Sequence, residues 1–318
     1  GFWLKEGEAG EFTPRIVWFL AWPTSGDDYV LTTMEHVSNK SVSTNYGEEV
    51  TPEGYPSIPI YPRHPEGPFW EGLGSPFGGK IRSLPLGYVW TKTHCNSRCV
   101  DCPPEEYMTD VDSFVKACGT TTARKTPGSK ADDHYPVDLV HKAVHFIRNP
   151  FFNLIQRFIF ERSKAEQRND TEFLEEYPML PKKGFQKWCF MLDDKYKKED
   201  EKAGLSEQVR KTMCHGELYK YLQWHNYAFE ATEQLGLETM VVYYEDFYTK
   251  FDETMDSLLA FTNQTRRMEP YPFSTPHNYS RFYEMDHRED FGAMAKEVAS
   301  SKTWEYMEHF FDPKATFW

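Results

Sequence analysis

An apolar run that ends in a tight turn and continues as a helical pattern is the strongest constraint on the fold. The run Arg15–Trp22 is rich in Val, Phe and Trp, which is typical of a buried strand. Pro23 and the Ser25-Gly26 pair predict a turn, and apolar residues from 29 to 37 recur at helical spacing. A strand that leads into a helix N-terminus presents free N–H groups, which favour a bound phosphate. An ordinary βα turn gives the same pattern and stays open, since this is not a Walker motif.

Strands and helices alternate along the rest of the chain. Strands are predicted at 88–93, 142–147 and 239–246, and helices at 151–159, 216–235, 251–262, 287–299 and 301–311. This alternation predicts an α/β fold with three layers (α/β/α), in which helices cover both faces of a central parallel sheet. Ligands bind such sheets at the carboxyl ends of the strands. The turns around Gly26, His94 and Arg148 are therefore expected to converge on one site.

Two long segments interrupt this alternation. Residues 38–87 are rich in Pro and Gly, so little regular structure is expected there. The aromatic residues of this insert suggest that it packs on the protein, either as a lid over an acceptor pocket or as a surface wrap. Residues 95–118 form a second, Cys-rich insert that starts immediately after His94.

The six cysteines favour disulfides over a metal site. They are Cys95, Cys99, Cys102, Cys118, Cys189 and Cys214. Structural zinc sites usually consist of two separated ligand pairs, and the spacing of the first four lacks that regularity. No metal is therefore expected, and the disulfide connectivity stays open.

Charge, sequons and chain start bear on the compartment and the partners. The formal net charge of -13 argues against nucleic acid as the main partner, and no apolar run approaches the length of a membrane span. Four N-glycosylation sequons begin at Asn39, Asn169, Asn263 and Asn278. With the cysteines they predict the secretory lumen (Golgi) or secretion; chance sequons and reduced thiols are the alternative. The absence of Met at position 1 predicts a processed form, whose membrane attachment would come only from an upstream anchor.

Four stretches together have the order and spacing of a known enzyme family. They are Trp22-Pro-Thr-Ser-Gly-Asp-Asp-Tyr29, Lys92-Thr-His94, Val144-His-Phe-Ile-Arg-Asn-Pro150 and Tyr243-Tyr-Glu-Asp-Phe247, followed by a late Thr303-Trp-Glu. Over about residues 14–311 the chain resembles the sulfotransferases that use 3′-phosphoadenosine 5′-phosphosulfate (PAPS), and its insert and sequons resemble a lumenal branch of algal or protist type. The resemblance implies that residues 1–318 form a single domain with the P-loop-like sulfotransferase fold.

The resemblance also implies roles for individual residues. His94 would be the general base for a hydroxyl or amine acceptor on a small molecule, glycan or protein, and Lys92 would contact the transferred group. The other positions that match the family's donor site are Thr24, Ser25, Gly26, Asp27, Asp28, Tyr29, Arg148, Gln156, Tyr244 and Arg281. PAPS is thus the expected donor, with Arg148 on its 3′-phosphate and the two tyrosines at the adenine.

Several of these positions depart from the family pattern. Thr24 replaces a lysine and Gln156 replaces a serine, and the Arg-Lys-Gly stretch near the carboxyl end is missing, with Arg281 as a candidate stand-in. Asp27 and Asp28 replace two hydroxyl residues, so two donors have become carboxylates. At ~4–6 Å from a phosphosulfate, each like charge costs on the order of a kcal/mol or more.

Two functions from different classes follow. The first is an active sulfotransferase, which the intact Lys92, His94 and Arg148 favour. The second is an inactive protein of the same fold that serves as a binding or structural subunit with protein partners, which Asp27 and Asp28 favour. A P-loop kinase is disfavoured because no Gly-Lys-Ser/Thr sequence occurs.

Overall fold

The computed structural model describes residues 15–46, 57–60, 62, 68–69, 82, 84–95, 110–121, 133–202, 204–273 and 279–312. Its strands are β1 (Arg15–Ala21), β2 (Ser43–Thr44), β3 (Ile58–Pro59), β4 (Tyr88–Thr93), β5 (Thr120–Thr121), β6 (Asp133–His134), β7 (Val140–Ile147) and β8 (Glu238–Tyr243). Six of them form a parallel sheet in the order β3-β2-β4-β1-β7-β8, while β5 and β6 form a separate antiparallel pair.

Helices make up most of the remaining described chain. The α-helices are α1 (Asp27–Ser38), α2 (Val111–Cys118), α3 (Pro150–Arg168), α4 (Thr171–Glu176), α5 (Lys187–Lys202), α6 (Glu207–Lys211), α7 (His215–Gln234), α8 (Asp246–Thr249), α9 (Phe251–Phe261), α10 (Met285–Val298) and α11 (Ser301–Met307). A π-helical turn spans Pro181–Gln186, and 3-10 turns span Val137–Leu139, Ser280–Phe282 and Glu308–Phe310.

The central strand β1 separates two hydrophobic cores. Its residues Ile16, Trp18 and Leu20 face the larger core, which contains apolar residues of α2, α3, α7 and α10. The alternate residues 17, 19 and 21 face the smaller core with α1 and α9. A strand that is buried on both faces needs an uninterrupted apolar sequence, which explains the run in β1. The protein therefore has the predicted three-layer α/β/α architecture.

The connectivity of the sheet places a crevice at the end of β1. β1 lies between β4 and β7, and the chain reaches these two neighbours by connections that lead to opposite sides of the sheet. Such a switch point opens a crevice at the carboxyl ends of the strands. The loops after β1, β4 and β7 all start at this edge.

The Pro/Gly-rich insert contains more regular structure than the composition predicts. Within 38–87, residues of β2 and β3 extend the parallel sheet beyond β4, with Ser43 opposite Thr91 and Ile58 opposite Ser43. The prediction of an irregular segment is wrong at these residues. A strand of two residues is too short to show a period in the sequence, so the composition did not indicate it. Phe69 of the insert is buried in the larger core, so the insert packs on the protein there. Residues 47–56, 61, 63–67, 70–81 and 83 lie outside the described part, so the lid-or-wrap alternative stays open.

Two disulfides tie loops to helices. Cys95 pairs with Cys118 at the end of α2, and Cys189 of α5 pairs with Cys214 at the start of α7. The preference for disulfides over zinc is confirmed for these four residues, while Cys99 and Cys102 lie outside the described part. Among the described helices, none combines the length and the apolar composition needed to cross a membrane.

Candidate functional site

The loop between β1 and α1 is a tight turn that requires glycine. Thr24 and Gly26 have φ angles of 66° and 96°. A Cβ atom at position 26 would lie 2.3 Å from Cε2 of Tyr244, well inside van der Waals contact. Gly26 is the N-cap of α1 and supplies no side-chain hydrogen bond. The close approach of the Tyr244 ring and the left-handed backbone both exclude a side chain here.

Neighbouring elements hold this loop by its carbonyl groups. Nδ2 of Asn153, on the first turns of α3, donates to the Pro23 carbonyl and to Oγ of Ser25, each at 3.2 Å. Nη1 of Arg148 donates to the Thr24 carbonyl at 2.9 Å. The Ser25 hydroxyl is therefore buried and accepts one of the hydrogen bonds that hold the loop. The segment after β7 thus fixes the segment after β1, as the predicted convergence requires.

The end of β4 contributes a buried cation. Nζ of Lys92 forms an ion pair with Asp28 and lies 3.4 Å from Oδ2 of Asp27. The side chains of Lys92 and Asp27 are 4% exposed and that of Asp28 is 79% exposed. Both carboxylates lie in the first turn of α1, where the positive end of the helix dipole also stabilises their charge. The predicted donor residues Asp27 and Asp28 are therefore engaged with the predicted catalytic Lys92.

His94 follows β4 with a defined tautomer. Its Nδ1 lies 2.7 Å from the Ala21 carbonyl, which only accepts, so Nδ1 carries a proton and Nε2 is the basic nitrogen of the neutral ring. Nε2 lies 3.6 Å from Oδ2 of Asp27. The ring stacks on Tyr46 with centroids 5.2 Å apart, and Trp224 donates to the His94 carbonyl at 2.9 Å. The imidazole is thus held by the Ala21 carbonyl and the Tyr46 ring, and the backbone of His94 is held by Trp224.

The carboxyl of Asp27 lies in an unfavourable environment for a charge. Burial raises its pKa to about 6, although the nearby ammonium of Lys92 opposes this rise and the Asp28 carboxylate adds to it. A carboxyl with this pKa changes its charge just below neutral pH. Asp27 is therefore a second titratable group beside His94, and the sequence patterns did not point to such a role.

Arg148 lies against an aromatic ring and near a buried acid. Its guanidinium lies 4.2 Å from the centre of the Tyr244 ring, a cation–π contact. Glu245 accepts a hydrogen bond from the backbone N–H of Asn149 at 2.9 Å, next to the arginine. Burial raises the pKa of Glu245 to about 7, and the charge of Arg148 opposes this rise. The ends of β7 and β8 are thereby joined.

A cavity of about 470 Å³ adjoins this cluster. Its lining residues are Thr24, Gly26, Asp27, Asp28, Tyr29, Arg148, Phe152, Gln156, Ile159, Phe160, Ser163, Tyr244, Tyr248 and Tyr279. The volume lies in the range of small-molecule sites. Among these described residues Arg148 is the only cation, and it is opposed by two aspartates. The cavity thus combines aromatic walls with one cation and two acidic side chains.

The remaining predicted donor residues are distributed unequally around this cavity. Gln156 lines it and donates to the Tyr279 hydroxyl at 2.6 Å. Tyr29 lines it as well, although its hydroxyl donates to the Tyr271 carbonyl at 2.7 Å. Arg281 is exposed, lies over the ring of Phe282 and is not among the lining residues. The structure therefore brings together all the predicted positions except Arg281.

A smaller cavity of about 240 Å³ lies beside Lys92 and Asp28. Its other walls are Leu31 and Thr32 of α1, and Val42, Ser43 and Ser57 in or beside β2 and β3. Asp28 lines both cavities, so the Lys92–Asp28 ion pair stands at their junction.

Three residues of the site were not found from the sequence. Asn153 is a polar residue inside the apolar stripe of α3 and is 1% exposed, which is a weak but readable signal. Glu245 follows β8, and its pairing with Asn149 depends on register that no local pattern specifies. Tyr46 lies in the Pro/Gly-rich insert, where no contact with His94 could be foreseen.

Searches against protein-family models and against curated proteins return no match for this chain. The function is therefore inferred from the geometry of the site together with the motifs in the sequence.

Proposed function

We propose that this chain is a sulfotransferase, which transfers a sulfuryl group from PAPS to a hydroxyl or amine of an acceptor. The observation that carries the proposal is the meeting of three segments at one edge of the sheet: the loop before α1, Lys92 with His94, and Arg148. The resemblance to the sulfotransferase family rests on the same segments. The adjoining cavity of about 470 Å³ has room for a nucleotide.

In this proposal His94 accepts the proton of the acceptor group. Its Nδ1 is committed to the Ala21 carbonyl, so Nε2 is the nitrogen that takes the proton. The acceptor oxygen or nitrogen bonds to sulfur while the bond from sulfur to the phosphate oxygen breaks. Lys92 compensates the charge that develops on the leaving phosphate. By analogy with phosphoryl transfer the transition state is loose, so positioning and charge compensation supply most of the catalysis.

Unpaired polar atoms at the cavity support an anionic ligand. Oγ1 of Thr24 and Nε of Arg148 are buried and have no hydrogen-bond partner within the described residues. Buried donors are normally paired, and phosphate oxygens would accept from both. Arg148 is the candidate partner of the 3′-phosphate, with Tyr29 and Tyr244 at the base of the nucleotide.

A second candidate function is a binding or structural subunit that has lost the donor. The observation that favours it is the engagement of Lys92 by Asp27 and Asp28, since these carboxylates stand where the donor's phosphosulfate would bind. Binding of the donor product distinguishes the two candidates.

We further propose that the protein works in the secretory lumen or outside the cell as a glycoprotein. The pairs Cys95–Cys118 and Cys189–Cys214 fit an oxidising compartment. The sequon residues Asn39, Asn169 and Asn263 are exposed, while Asn278 lies outside the described part.

The test is calorimetric titration with adenosine 3′,5′-bisphosphate at pH 5.5. The wild-type protein should bind, and Arg148→Ala should lose at least about tenfold in affinity, because a charge-assisted phosphate contact is removed. Arg266→Ala is the matched control, since this arginine pairs with Asp252 and Asp256 outside the cavity. With a panel of hydroxyl and amine acceptors, sulfuryl transfer from PAPS should disappear in His94→Ala.

No heat of binding at millimolar ligand, with a folded wild-type protein, would contradict the sulfotransferase and leave the subunit as the better candidate. Equal affinity of Arg148→Ala and wild type would remove Arg148 from the site.

A further inference from the structure

Lys92, the proposed contact of the transferred group, is already neutralised by its own chain. Asp28 pairs with its ammonium directly, and Oδ2 of Asp27 lies 3.4 Å from Nζ. Two carboxylates therefore occupy the surroundings of the cation that an incoming phosphosulfate would need. A donor can use Lys92 only if it competes with both.

The two aspartates differ in what each can do when an incoming phosphate competes for Lys92. The Asp28 side chain is 79% exposed, so it can turn into water and keep its charge. Asp27 is buried, and its Oδ2 lies 3.4 Å from Nζ of Lys92 and 3.6 Å from Nε2 of His94. Moving a buried carboxylate into water would require the surrounding structure to rearrange. A new anion beside it raises the free energy of its charged form further.

The charged and titratable groups around Asp27 indicate that the Asp27 carboxyl is the group that takes up a proton. From β4 it faces Lys92 and the neutral-or-charged His94, and from α1 its neighbour Asp28. The same cavity is lined by the guanidinium of Arg148 and by the phenols of Tyr29, Tyr244, Tyr248 and Tyr279. Burial raises the pKa of Asp27 to about 6, and a further rise of this pKa to well above the pH of the solution keeps the carboxyl neutral at neutral pH.

We propose that Asp27 couples occupancy of the donor site to proton uptake: the 5′-phosphate group takes Lys92 from both aspartates, and the Asp27 carboxyl accepts one proton from solvent. This inference rests on the proposed sulfotransferase function and concerns the same site. Asp27 is then a specificity-determining residue, because the donor binds only when the Asp27 carboxyl is protonated.

The test is calorimetric binding of adenosine 3′,5′-bisphosphate between pH 5.5 and 7.5 to the wild type and to Asp27→Asn. Asparagine keeps the shape of the side chain and has neither the charge nor the proton. Relative to this variant, the affinity of the wild type should fall roughly twentyfold across the range, as expected for one ionisation near pH 6. Titrations in buffers of different ionisation enthalpy at pH 7.5 should show about one more proton taken up by the wild type.

The variant series contains its own controls. Asp28→Asn should tighten binding and keep a wild-type-like pH dependence that is moved to slightly lower pH, because the Asp28 carboxylate adds to the rise of the Asp27 pKa. Glu172→Gln removes a first-turn acid of α4 that lines neither cavity and should behave as wild type. If Asp27→Asn does not fold, Asp27→Thr restores the hydroxyl typical of the family and serves the same comparison.

Two outcomes would overturn the coupling, and they are distinguishable. Equal pH dependence in the wild type and Asp27→Asn would refute it while leaving the sulfotransferase proposal in place. If no folded variant binds the ligand at any pH, the proposed function fails and the coupling fails with it.

Discussion

Gly26 and Tyr244 approach each other so closely that the loop and the end of β8 are interdependent. The Tyr244 ring occupies the space that a side chain at position 26 would need. The same ring supports the guanidinium of Arg148. A change at either residue is therefore transmitted to the cation of the cavity.

Gly26→Ala is expected to destabilise the protein by more than about 2 kcal/mol, since the left-handed backbone costs roughly 1–2 kcal/mol and the clash with Tyr244 adds to it. Chemical denaturation measures the loss. Gly204→Ala is the matched control, because Gly204 also has a positive φ of 67° but nothing lies within 4 Å of an added Cβ. Equal losses in the two variants would show that the clash is relieved without cost.

The exposed sequon residues have a second explanation at the same scale. Asn39 and Asn169 are C-caps of α1 and α3, and Asn263 follows α9; all three have φ between 53° and 56°. Asparagine tolerates this left-handed conformation better than most residues. The structure thus explains these asparagines without a glycan, while their exposure leaves each accessible to one.

Helix α3 carries the support of the site. It begins with Asn149, whose side chain accepts from the N–H of Phe151, and with Pro150 in its first turn. Asn153 then reaches back to the loop before α1. A single helix start therefore positions Arg148 and the loop together.

Asn153→Ala should weaken binding of adenosine 3′,5′-bisphosphate several-fold and lower stability by about 1–3 kcal/mol, because the Pro23 carbonyl loses its partner. Asn226→Ala is the comparison: its amide also makes two long-range bonds, to Val298 and Ser300, but it lines neither cavity. Both variants should melt earlier, whereas only Asn153→Ala should bind more weakly. A loss of affinity in both would assign the effect to general destabilisation.

The elements with a strong period were predictable, and those that depend on distant partners were not. Strand β4 was predicted with its observed bounds, and β7 and α7 to within two residues, since their apolar residues repeat regularly. β2 pairs with the edge of β4, and β3 pairs with β2, so both short strands depend on partners that are distant in the sequence. The convergence of Lys92, His94 and Arg148 followed from topology, but the engagement of Lys92 by the α1 carboxylates required the side-chain geometry.

At the scale of the whole molecule, buried histidines make stability depend on pH. His225 is fully buried between the rings of Tyr221 and Trp224, and neither ring nitrogen has a partner within the described residues. Burial lowers its pKa well below 6.5. The unfolded chain therefore binds a proton below about pH 6.5 that the folded protein excludes, and stability falls as the pH drops.

His225→Phe removes this proton, so its stability relative to wild type should rise by about 2 kcal/mol between pH 7.5 and pH 5. Denaturant unfolding at the two pH values measures the change, and the exposed His134→Phe is the control. A pH-independent difference between His225→Phe and wild type would mean that the folded protein accommodates the charged imidazole.

The pairing of Lys92 with Asp27 and Asp28 also has a consequence for the ligand-free protein. An empty pocket of unpaired cations strains a fold through self-repulsion, and such proteins depend on their ligand to reach full stability. Here the charge of Lys92 is compensated within the chain. We therefore expect the ligand-free chain to fold and to keep its stability without a counter-ion from solution at Lys92.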